Sequence, residues 1–357
     1  MSLLTRELTP SPADSEPGKL REAARFVRRA FGFEAPPPAP RVAPPPPVPP
    51  RPARFGEHVF HFGGERHAYR LFVPSRPAQA VPEPLPLVVL LHGCKQDAAD
   101  FAQGTGMNAL AQAQRCLVLY PEQSAKANGM RCWNWFEKGH QSRDAGEPAM
   151  IAALTRSVLR ARNGDPSRVY IAGLSAGGAM AALVAGLYPE LFAAAGVHSG
   201  LPAGAAGDVM SAFSAMRRGS AGRAAAAAGP AVPTIVFHGS SDTTVHPANG
   251  DQVVAAALAG HDAAGVTLVS AQAPHAGVPG ETASRPTQRV RYTAADGTSH
   301  VEHWTVDAGP HAWSGGDAAG SFTDPEGPGA SAAMLEFFLQ HRQGEAQAHL
   351  SGAGRAS

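Results

Sequence analysis

Residues 168–178 read Arg-Val-Tyr-Ile-Ala-Gly-Leu-Ser-Ala-Gly-Gly. β-branched and aromatic side chains open this stretch, as in a buried strand, and a small-residue helical pattern follows from Ala176 to Leu187. The Gly-x-Ser-x-Gly sequence between them is centred on Ser175. In such a unit the serine takes strained backbone angles, while the flanking glycines allow a close backbone approach. The sequence therefore predicts that Ser175 projects clear of the sheet as a nucleophile. An ordinary glycine-rich turn is the alternative.

Two further segments place an acid and a base after Ser175 in the chain. Residues 232–239 form a second buried-strand pattern shortly before Asp242, and His311 follows the alternating strand 301–306. Side chains just beyond the C-terminal ends of parallel strands share one face of a sheet. The order Ser175, Asp242, His311 is that of the α/β-hydrolase fold. The alternative is a turn-forming aspartate and a solvated histidine.

Strand and helix patterns alternate along most of the chain. Polar and apolar residues alternate in 57–62 and 66–73, as in two antiparallel strands that turn at Gly63-Gly64. Leu85–Leu91 is a continuous apolar run, which is typical of a buried parallel strand. Further core strands are expected at 116–120, 193–198 and 232–238, and helices at 106–114, 147–162, 176–187, 247–258 and 329–341. We therefore predict an α/β-hydrolase fold, with a mostly parallel central sheet, helices on both faces and an antiparallel N-terminal hairpin.

The ends of the chain differ in composition from its centre. Residues 20–33 carry apolar side chains at helical spacing with arginines between them, and 35–52 is mostly proline, which is typical of a polyproline II linker. The Ala- and Gly-rich residues 204–230 are predicted to form a mobile helix or cap segment. The predicted divisions are a flexible N-terminal segment and linker, an α/β-hydrolase catalytic domain and a frayed tail, at 1–53, 54–342 and 343–357.

Charge and spacing exclude several functional classes. The 30 basic and 29 acidic residues give a net charge of +1, which indicates no nucleic-acid or polyanion partner. No apolar run of about 18 residues predicts a transmembrane helix. The spacings H-E-x-x-H and C-x-x-C are absent, so we expect no metal and no cofactor. The first residues lack the apolar core of a secretory signal, which predicts a cytoplasmic protein, although a secreted chain whose leader had been removed would look the same.

The loop after the first buried strand reads His92-Gly93-Cys94-Lys95-Gln96. In this fold that loop donates one backbone N–H to the oxyanion hole, and the residue after the nucleophile donates another. Such donors are aimed at the charge that develops on a tetrahedral intermediate. The candidates are therefore the N–H groups of Cys94 and Ala176. Structural hydrogen bonding is expected of three strand-end histidines, namely His92, His198 and His238.

Three tryptophans lie near these residues in the sequence. A flat apolar ring beside a hydrolase site often lines the substrate groove. We predict that Trp313 does so, because it is two residues from His311. For Trp133 and Trp135, groove lining and core packing remain equal alternatives.

Six ordered motifs extend the pattern beyond the serine turn. They are His-Gly-Cys-Lys-Gln (92–96), Val-Leu-Tyr-Pro-Glu-Gln (118–123), Arg-Cys-Trp-Asn-Trp-Phe (131–136), Gly-Leu-Ser-Ala-Gly-Gly-Ala-Met (173–180), His-Gly-Ser-Ser-Asp (238–242) and Gly-Pro-His-Ala-Trp-Ser-Gly-Gly (309–316). Over about residues 55–340 the chain resembles the polyhydroxybutyrate (PHB) depolymerase family of esterases, which is related to feruloyl and acetylxylan esterases. The resemblance implies that Ser175 is the nucleophile, Asp242 the acid, His311 the base and Cys94 an oxyanion-loop residue.

The resemblance also implies a disulfide between Cys94 and Cys132, which would join the oxyanion loop to the loop of Trp133. Two free thiols, the default in a reducing cytosol, are the alternative. Cys116 lies in a buried strand pattern and is expected to be a small core hydrophobe.

The expected activity is hydrolysis of carboxylic esters through an acyl-serine. The resemblance implies short hydroxyacyl oligoesters or polyesters such as 3-hydroxybutyrate chains, so the expected partner is an ester substrate or the surface of a polymer or granule. An esterase of plant-derived feruloyl or acetyl esters is the first alternative. A non-catalytic binding protein with a hydrolase fold is the second.

Overall fold

The computed structural model describes residues 51–76, 83–220, 231–273 and 284–344 of the chain. These residues belong to one unit that begins at Pro49. The predictions for the N-terminal segment 1–53 and for the tail 343–357 fall almost entirely outside the described residues. In the described part of the chain, no helix is both long enough and apolar enough to cross a membrane.

A ten-stranded sheet forms the centre of the described chain. Its strands are β1 (Arg54–Phe62), β2 (Glu65–Val73), β3 (Leu85–Leu91), β4 (Leu117–Pro121), β5 (Gly164–Leu174), β6 (Ala194–His198), β7 (Thr234–Gly239), β8 (Val269–Ala273), β9 (Thr287–Thr293) and β10 (Ser299–Val306). Their spatial order is β1-β2-β4-β3-β5-β6-β7-β10-β9-β8. The run from β4 to β10 is parallel, whereas β1, β2, β8 and β9 pair antiparallel at the two ends. The predicted parallel sheet and N-terminal hairpin are confirmed, and β8 and β9 extend it beyond the prediction.

Helices cover both faces of this sheet. They are α1 (Ala98–Thr105), α2 (Met107–Gln114), α3 (Gly146–Arg162), α4 (Ala176–Leu187), α5 (Val209–Arg218), α6 (Ala248–Ala263) and α7 (Ala330–Leu339). The five predicted helices are confirmed, although α6 continues to Ala263 rather than ending at 258. The helix α5 lies within the segment 204–230 that was predicted to form a helix or cap, of which residues 221–230 fall outside the described chain, whereas α1 was not predicted. Both helices begin at side-chain caps, because Asp97 accepts N–H groups of α1 and Asp208 accepts one of α5.

Strand β3 shows why both faces need a helical layer. Successive side chains of a strand point to opposite faces. Leu87, Val89 and Leu91 pack in one core cluster with side chains of α3 and α4. Val88 and Leu90 pack in another with side chains of α1, α2 and α7. The continuous apolar run therefore fills two cores, which is what a central parallel strand requires.

Four of the buried histidines have a pKa that burial lowers. Burial lowers the pKa of His92 and of His261 to about 4. Burial, followed by neighbouring histidines, lowers the pKa of His198 and of His341 to about 3. Each of these rings is therefore neutral in the folded protein at neutral pH.

These histidines predict a loss of stability in acid. Below about pH 6.5 an unfolded chain protonates its histidines, whereas the folded protein leaves these four neutral until about pH 4 to 3. The unfolded state then binds more protons, so the free energy of unfolding falls as the pH falls, by up to about 1.4 kcal/mol per pH unit for each histidine. Urea unfolding between pH 7.5 and 5 measures this slope.

The His261→Leu variant isolates one of these histidines, because neither ring nitrogen of His261 has a hydrogen-bond partner among the described residues. We expect its slope to be shallower by up to about 1.4 kcal/mol per pH unit. The matched control is His61→Leu, since His61 is exposed. An unchanged slope in His261→Leu, or an equal change in both variants, would contradict the interpretation.

Candidate active site

Ser175 occupies a one-residue turn between β5 and α4. Its backbone has φ 58° and ψ −120°, a left-handed value that a non-glycine residue rarely adopts. A Cβ atom at Gly177 would lie 2.1 Å from the Leu91 carbonyl oxygen, and one at Gly173 would lie 2.4 Å from the Gly177 backbone. Positions 173 and 177 must therefore both be glycine. The close approach and the strained serine that the sequence predicts are both present.

Asp242 and His311 meet in the loops that follow β7 and β10. The two atoms in contact, His311 Nδ1 and Asp242 Oδ2, are 2.7 Å apart. The other carboxylate oxygen accepts the backbone N–H groups of Thr244, at 2.9 Å, and Val245, at 2.8 Å. Because a carboxylate only accepts, His311 Nδ1 carries the hydrogen and Nε2 is the basic nitrogen. Ser175 and His311 line the same cavity.

A second histidine helps to keep Asp242 ionised. Burial alone would raise the pKa of Asp242, but the hydrogen bonds from His238 and His311 outweigh it and hold the pKa well below its usual range. His238 Nε2 lies 3.5 Å from Asp242 Oδ2 and 2.8 Å from the Val245 carbonyl oxygen. His238 therefore has the structural role expected of it, because it supports the loop that carries Asp242.

The candidate oxyanion donors lie on the same cavity wall. Cys94 and Ala176 both line the cavity, as do Ser175 and His311. Ala176 is the first residue of α4, so its N–H has no carbonyl one turn earlier to bind. Among the described residues, no hydrogen-bond acceptor takes the N–H of Cys94. Both N–H groups can therefore serve a ligand.

A disulfide joins Cys94 to Cys132, the pair that the family resemblance implies. The Lys95 N–H also donates to the Met130 carbonyl oxygen at 2.7 Å. These two contacts tie the loop after β3 to the loop 128–136. The remaining cysteine, Cys116, is buried as expected, and burial raises the pKa of its thiol to about 12.

The prediction that Trp313 lines the site is wrong. Its ring is only 1% exposed and packs against Phe101 and His198, with ring centroids 5.4 and 5.0 Å away. Its Nε1 donates to Ser331 Oγ at 3.0 Å. Residues Trp313–Ser314 form a short strand, β11, that pairs with β12 (Thr323–Asp324), and this pairing accompanies the burial of the tryptophan in the core.

The other two tryptophans both pack in one core cluster, and one of them also lines the cavity. Trp133 is fully buried, with its ring 5.8 Å from that of His92, so it belongs to the core and the groove alternative is wrong for it. Trp135 is only 6% exposed and belongs to the same core cluster, but it also lines the cavity, so its contact with substrate stays a prediction.

The cavity has a volume of about 540 Å³ and mostly apolar walls. Four of its lining side chains are also among the most exposed large hydrophobic residues: Met130 at 51%, Val209 at 50%, Phe213 at 56% and Phe322 at 42%. We call these four residues the apolar rim. None of these four residues was predicted from the sequence to lie at the site. A signal existed for α5, because Val209, Phe213 and Met216 follow the Asp208 cap at helical spacing.

The described residues contain no group of three or more His, Cys, Asp or Glu side chains that could hold a metal ion. The groups described above that could act on a substrate are the side chains of Ser175 and His311, supported by Asp242, and the backbone N–H groups of Cys94 and Ala176. The arrangement can therefore supply a nucleophile, a base and two oxyanion donors.

Known proteins resemble this chain in sequence and in fold. A poly(3-hydroxyalkanoate) depolymerase C of Paucimonas lemoignei is 37% identical over 209 residues, covering 55% of this chain and 49% of that protein. A poly(3-hydroxybutyrate) depolymerase of Ralstonia pickettii is 30% identical over 251 residues, covering 64% and 48%. A probable acetylxylan esterase A of Aspergillus fumigatus is 29% identical over 180 residues, covering 46% and 48%. The chain spans about half the length of these curated relatives.

An acetyl xylan esterase from Aspergillus awamori has a similar structure, with a TM-score of 0.54 at 18% identity over 77% of this chain and 94% of that one. This likeness supports the α/β-hydrolase fold alone. Residues 67–273 match the family model described as Esterase PHB depolymerase. On that match, which covers more than half of the sequence, the chain belongs to the PHB depolymerase family of esterases.

Proposed function

We propose that this protein is a carboxylic-ester hydrolase in which Ser175, His311 and Asp242 act as nucleophile, base and acid. The observation that carries the proposal is the 2.7 Å contact between His311 Nδ1 and Asp242 Oδ2 beside the strained serine turn. We further propose that residues 54–342 form the catalytic domain.

The reaction proceeds in two halves. Ser175 Oγ attacks the ester carbonyl carbon while His311 Nε2 takes its proton, and the N–H groups of Cys94 and Ala176 stabilise the oxyanion. The imidazolium gives that proton to the departing alcohol, which leaves an acyl-serine. A water molecule then gives a proton to His311 and attacks the acyl carbon, and the imidazolium returns that proton to Ser175 Oγ as the acid leaves. Asp242 stays ionised throughout and fixes the imidazole tautomer.

The proposed substrates are short-chain hydroxyalkanoate oligoesters and polyesters. The apolar cavity and the apolar rim around it can accept a chain of alkyl and ester groups, and a cluster of exposed hydrophobic residues commonly marks an interaction surface. The names of the depolymerase relatives point to the same class. The acetylxylan esterase relatives keep small or plant-derived esters as a second candidate.

The disulfide bears on the compartment. Disulfides persist in oxidising compartments and are rare in the cytosol. The Cys94–Cys132 bond therefore supports a secreted or periplasmic enzyme over the cytoplasmic one that the N-terminal residues predict.

Release of 3-hydroxybutyrate from amorphous PHB tests the nucleophile and the substrate together. We expect wild-type protein to release it and Ser175→Ala to lose about 10⁴-fold or more in kcat, because removal of the nucleophile leaves only binding and the oxyanion donors. The matched control is Ser199→Ala, since Ser199 is also buried at the end of a parallel strand with positive φ. It should retain turnover within a few-fold.

Near-wild-type turnover by Ser175→Ala would end the assignment. Wild-type cleavage of short p-nitrophenyl esters without release from PHB would retain the serine chemistry and favour the acetyl or feruloyl class. Absence of both activities would favour the non-catalytic binding protein.

The apolar rim predicts a difference between insoluble and soluble substrates. The double variant Val209→Ser/Phe213→Ser should slow hydrolysis of PHB particles several-fold more than hydrolysis of p-nitrophenyl acetate, because a large particle contacts the rim and a small ester does not. Val269→Ser is the matched control, since Val269 is 68% exposed on β8 and does not line the cavity. Equal slowing on both substrates, or equal slowing by the control, would contradict a role of the rim in polymer contact.

A further inference from the structure

A buried carboxylate lies behind the two loops of the site and takes no part in the proposed reaction. Glu147, in the first turn of α3, is only 7% exposed. Its Oε1 accepts Gln123 Nε2 at 2.5 Å and Asn134 Nδ2 at 2.8 Å, and its Oε2 accepts the Asn134 backbone N–H at 2.8 Å. All three partners are donors, so an ionised carboxylate satisfies each of them. Such a buried hub is costly to disturb.

The first arm of the hub runs through Gln123. Besides contacting Glu147, Gln123 Nε2 donates to the Cys132 carbonyl oxygen at 3.1 Å, and its Oε1 accepts the Ser124 N–H at 2.9 Å. The side-chain amide is thus held at both ends. This fixes the backbone of Gln123, whose own N–H donates to His92 Nε2 at 3.1 Å.

His92 connects the fixed backbone of Gln123 to the candidate oxyanion loop. A backbone N–H can only donate, so His92 Nε2 accepts, and Nδ1 carries the hydrogen that it donates to the Gly93 carbonyl oxygen at 2.7 Å. That carbonyl belongs to the same planar trans peptide as the N–H of Cys94, and the two groups point in opposite directions. Holding the Gly93 oxygen towards His92 therefore directs the Cys94 N–H away from it.

The second arm runs through Asn134. Its side-chain oxygen accepts Asn128 Nδ2 at 2.8 Å, so Glu147 and Asn128 together hold Asn134 within the loop 128–136. This loop carries Trp135 of the cavity wall and Cys132, which is bonded to Cys94. Both arms end at the loop that carries the Cys94 N–H.

We propose that Glu147 is a positioning residue for the oxyanion hole, which sets the orientation of the Gly93–Cys94 peptide through Gln123 and His92. The inference rests on the proposed function. A carboxylate some distance along the hydrogen-bond chain then acts on the transition state without contacting substrate.

The variant Glu147→Gln tests this inference. It keeps the size of the side chain but replaces one acceptor oxygen with an NH₂ group, so at least one of the three donors faces another donor. Turnover of p-nitrophenyl acetate is measured far below the unfolding temperature, and kcat is expressed per serine titrated by a fluorophosphonate. We expect kcat to fall about tenfold or more with KM changed far less, because an oxyanion donor acts in the transition state.

Glu302→Gln is the matched control. Glu302 is also a buried carboxylate, 1% exposed, and it accepts hydrogen bonds from Arg289 and Trp304 on a part of β10 that does not line the cavity. Its replacement should lower the unfolding temperature and leave kcat per titrated site within about twofold of wild type.

A second variant keeps the test decisive if Glu147→Gln does not fold. Gln123→Met removes the first arm and should lower kcat per titrated site by a similar factor. Where all variants fold, the double variant Glu147→Gln/Gln123→Met should lose no more than the larger single loss, since both residues act through one chain.

Unchanged kcat per titrated site in Glu147→Gln or Gln123→Met, with only the unfolding temperature lowered, would overturn the positioning role while leaving the serine chemistry intact. Losses that multiply in the double variant would overturn the single chain. Failure of the wild-type protein to react with the fluorophosphonate would instead refute the proposed function itself.

Discussion

The site depends on one close approach between two backbones. The turn around Ser175 brings Gly177 against the carbonyl oxygens of Leu91 and His92, at distances that leave no room for a side chain. The contact fixes the serine turn against the end of β3, where the candidate oxyanion loop begins. The same packing constraint therefore places the proposed nucleophile and the proposed oxyanion donors. The strained, positive φ of Ser175 is the energetic cost of this turn.

Behind this contact, the polar groups of the site are held by other polar groups in a fixed order. Asp242 accepts from two backbone amides and from His311, and His238 helps to hold its pKa low. Glu147 holds Gln123, whose N–H donates to His92 beside the candidate oxyanion loop. In front of the serine, by contrast, the cavity and its rim are apolar. Hydrogen-bonded polar groups behind the serine and apolar cavity walls in front of it suit a reaction that develops charge on an uncharged ester.

The features that could be predicted from sequence are those that local pattern determines. The turn at Ser175 can be recognised as a strand, a Gly-x-Ser-x-Gly sequence and a helix. The rule that parallel strands end at one edge of the sheet brings Asp242 and His311 together. The fold follows from the same alternation. Each of these inferences needed only residues adjacent in sequence and the general geometry of parallel sheets.

The features that could not be predicted depend on packing between distant segments. Trp313 is two residues from His311, but the pairing of β11 with β12 accompanies its burial in the core, and sequence spacing does not show that pairing. Glu147 reads as an ordinary acidic residue in the first turn of a helix, because its partner Gln123 lies 24 positions away. The helix α5 was recognisable from the Asp208 cap, but its position beside the cavity was not.

The assignment of Ser175 as the nucleophile is tested most directly by covalent labelling with a serine-directed fluorophosphonate, followed by mapping of the adduct by peptide mass spectrometry. A serine in this strained turn beside a His–Asp pair should react with one equivalent of the fluorophosphonate, and the adduct should lie on Ser175. An excess of a short ester substrate present during the labelling should slow the reaction. An adduct on another serine, or no adduct on a folded protein, would contradict the account.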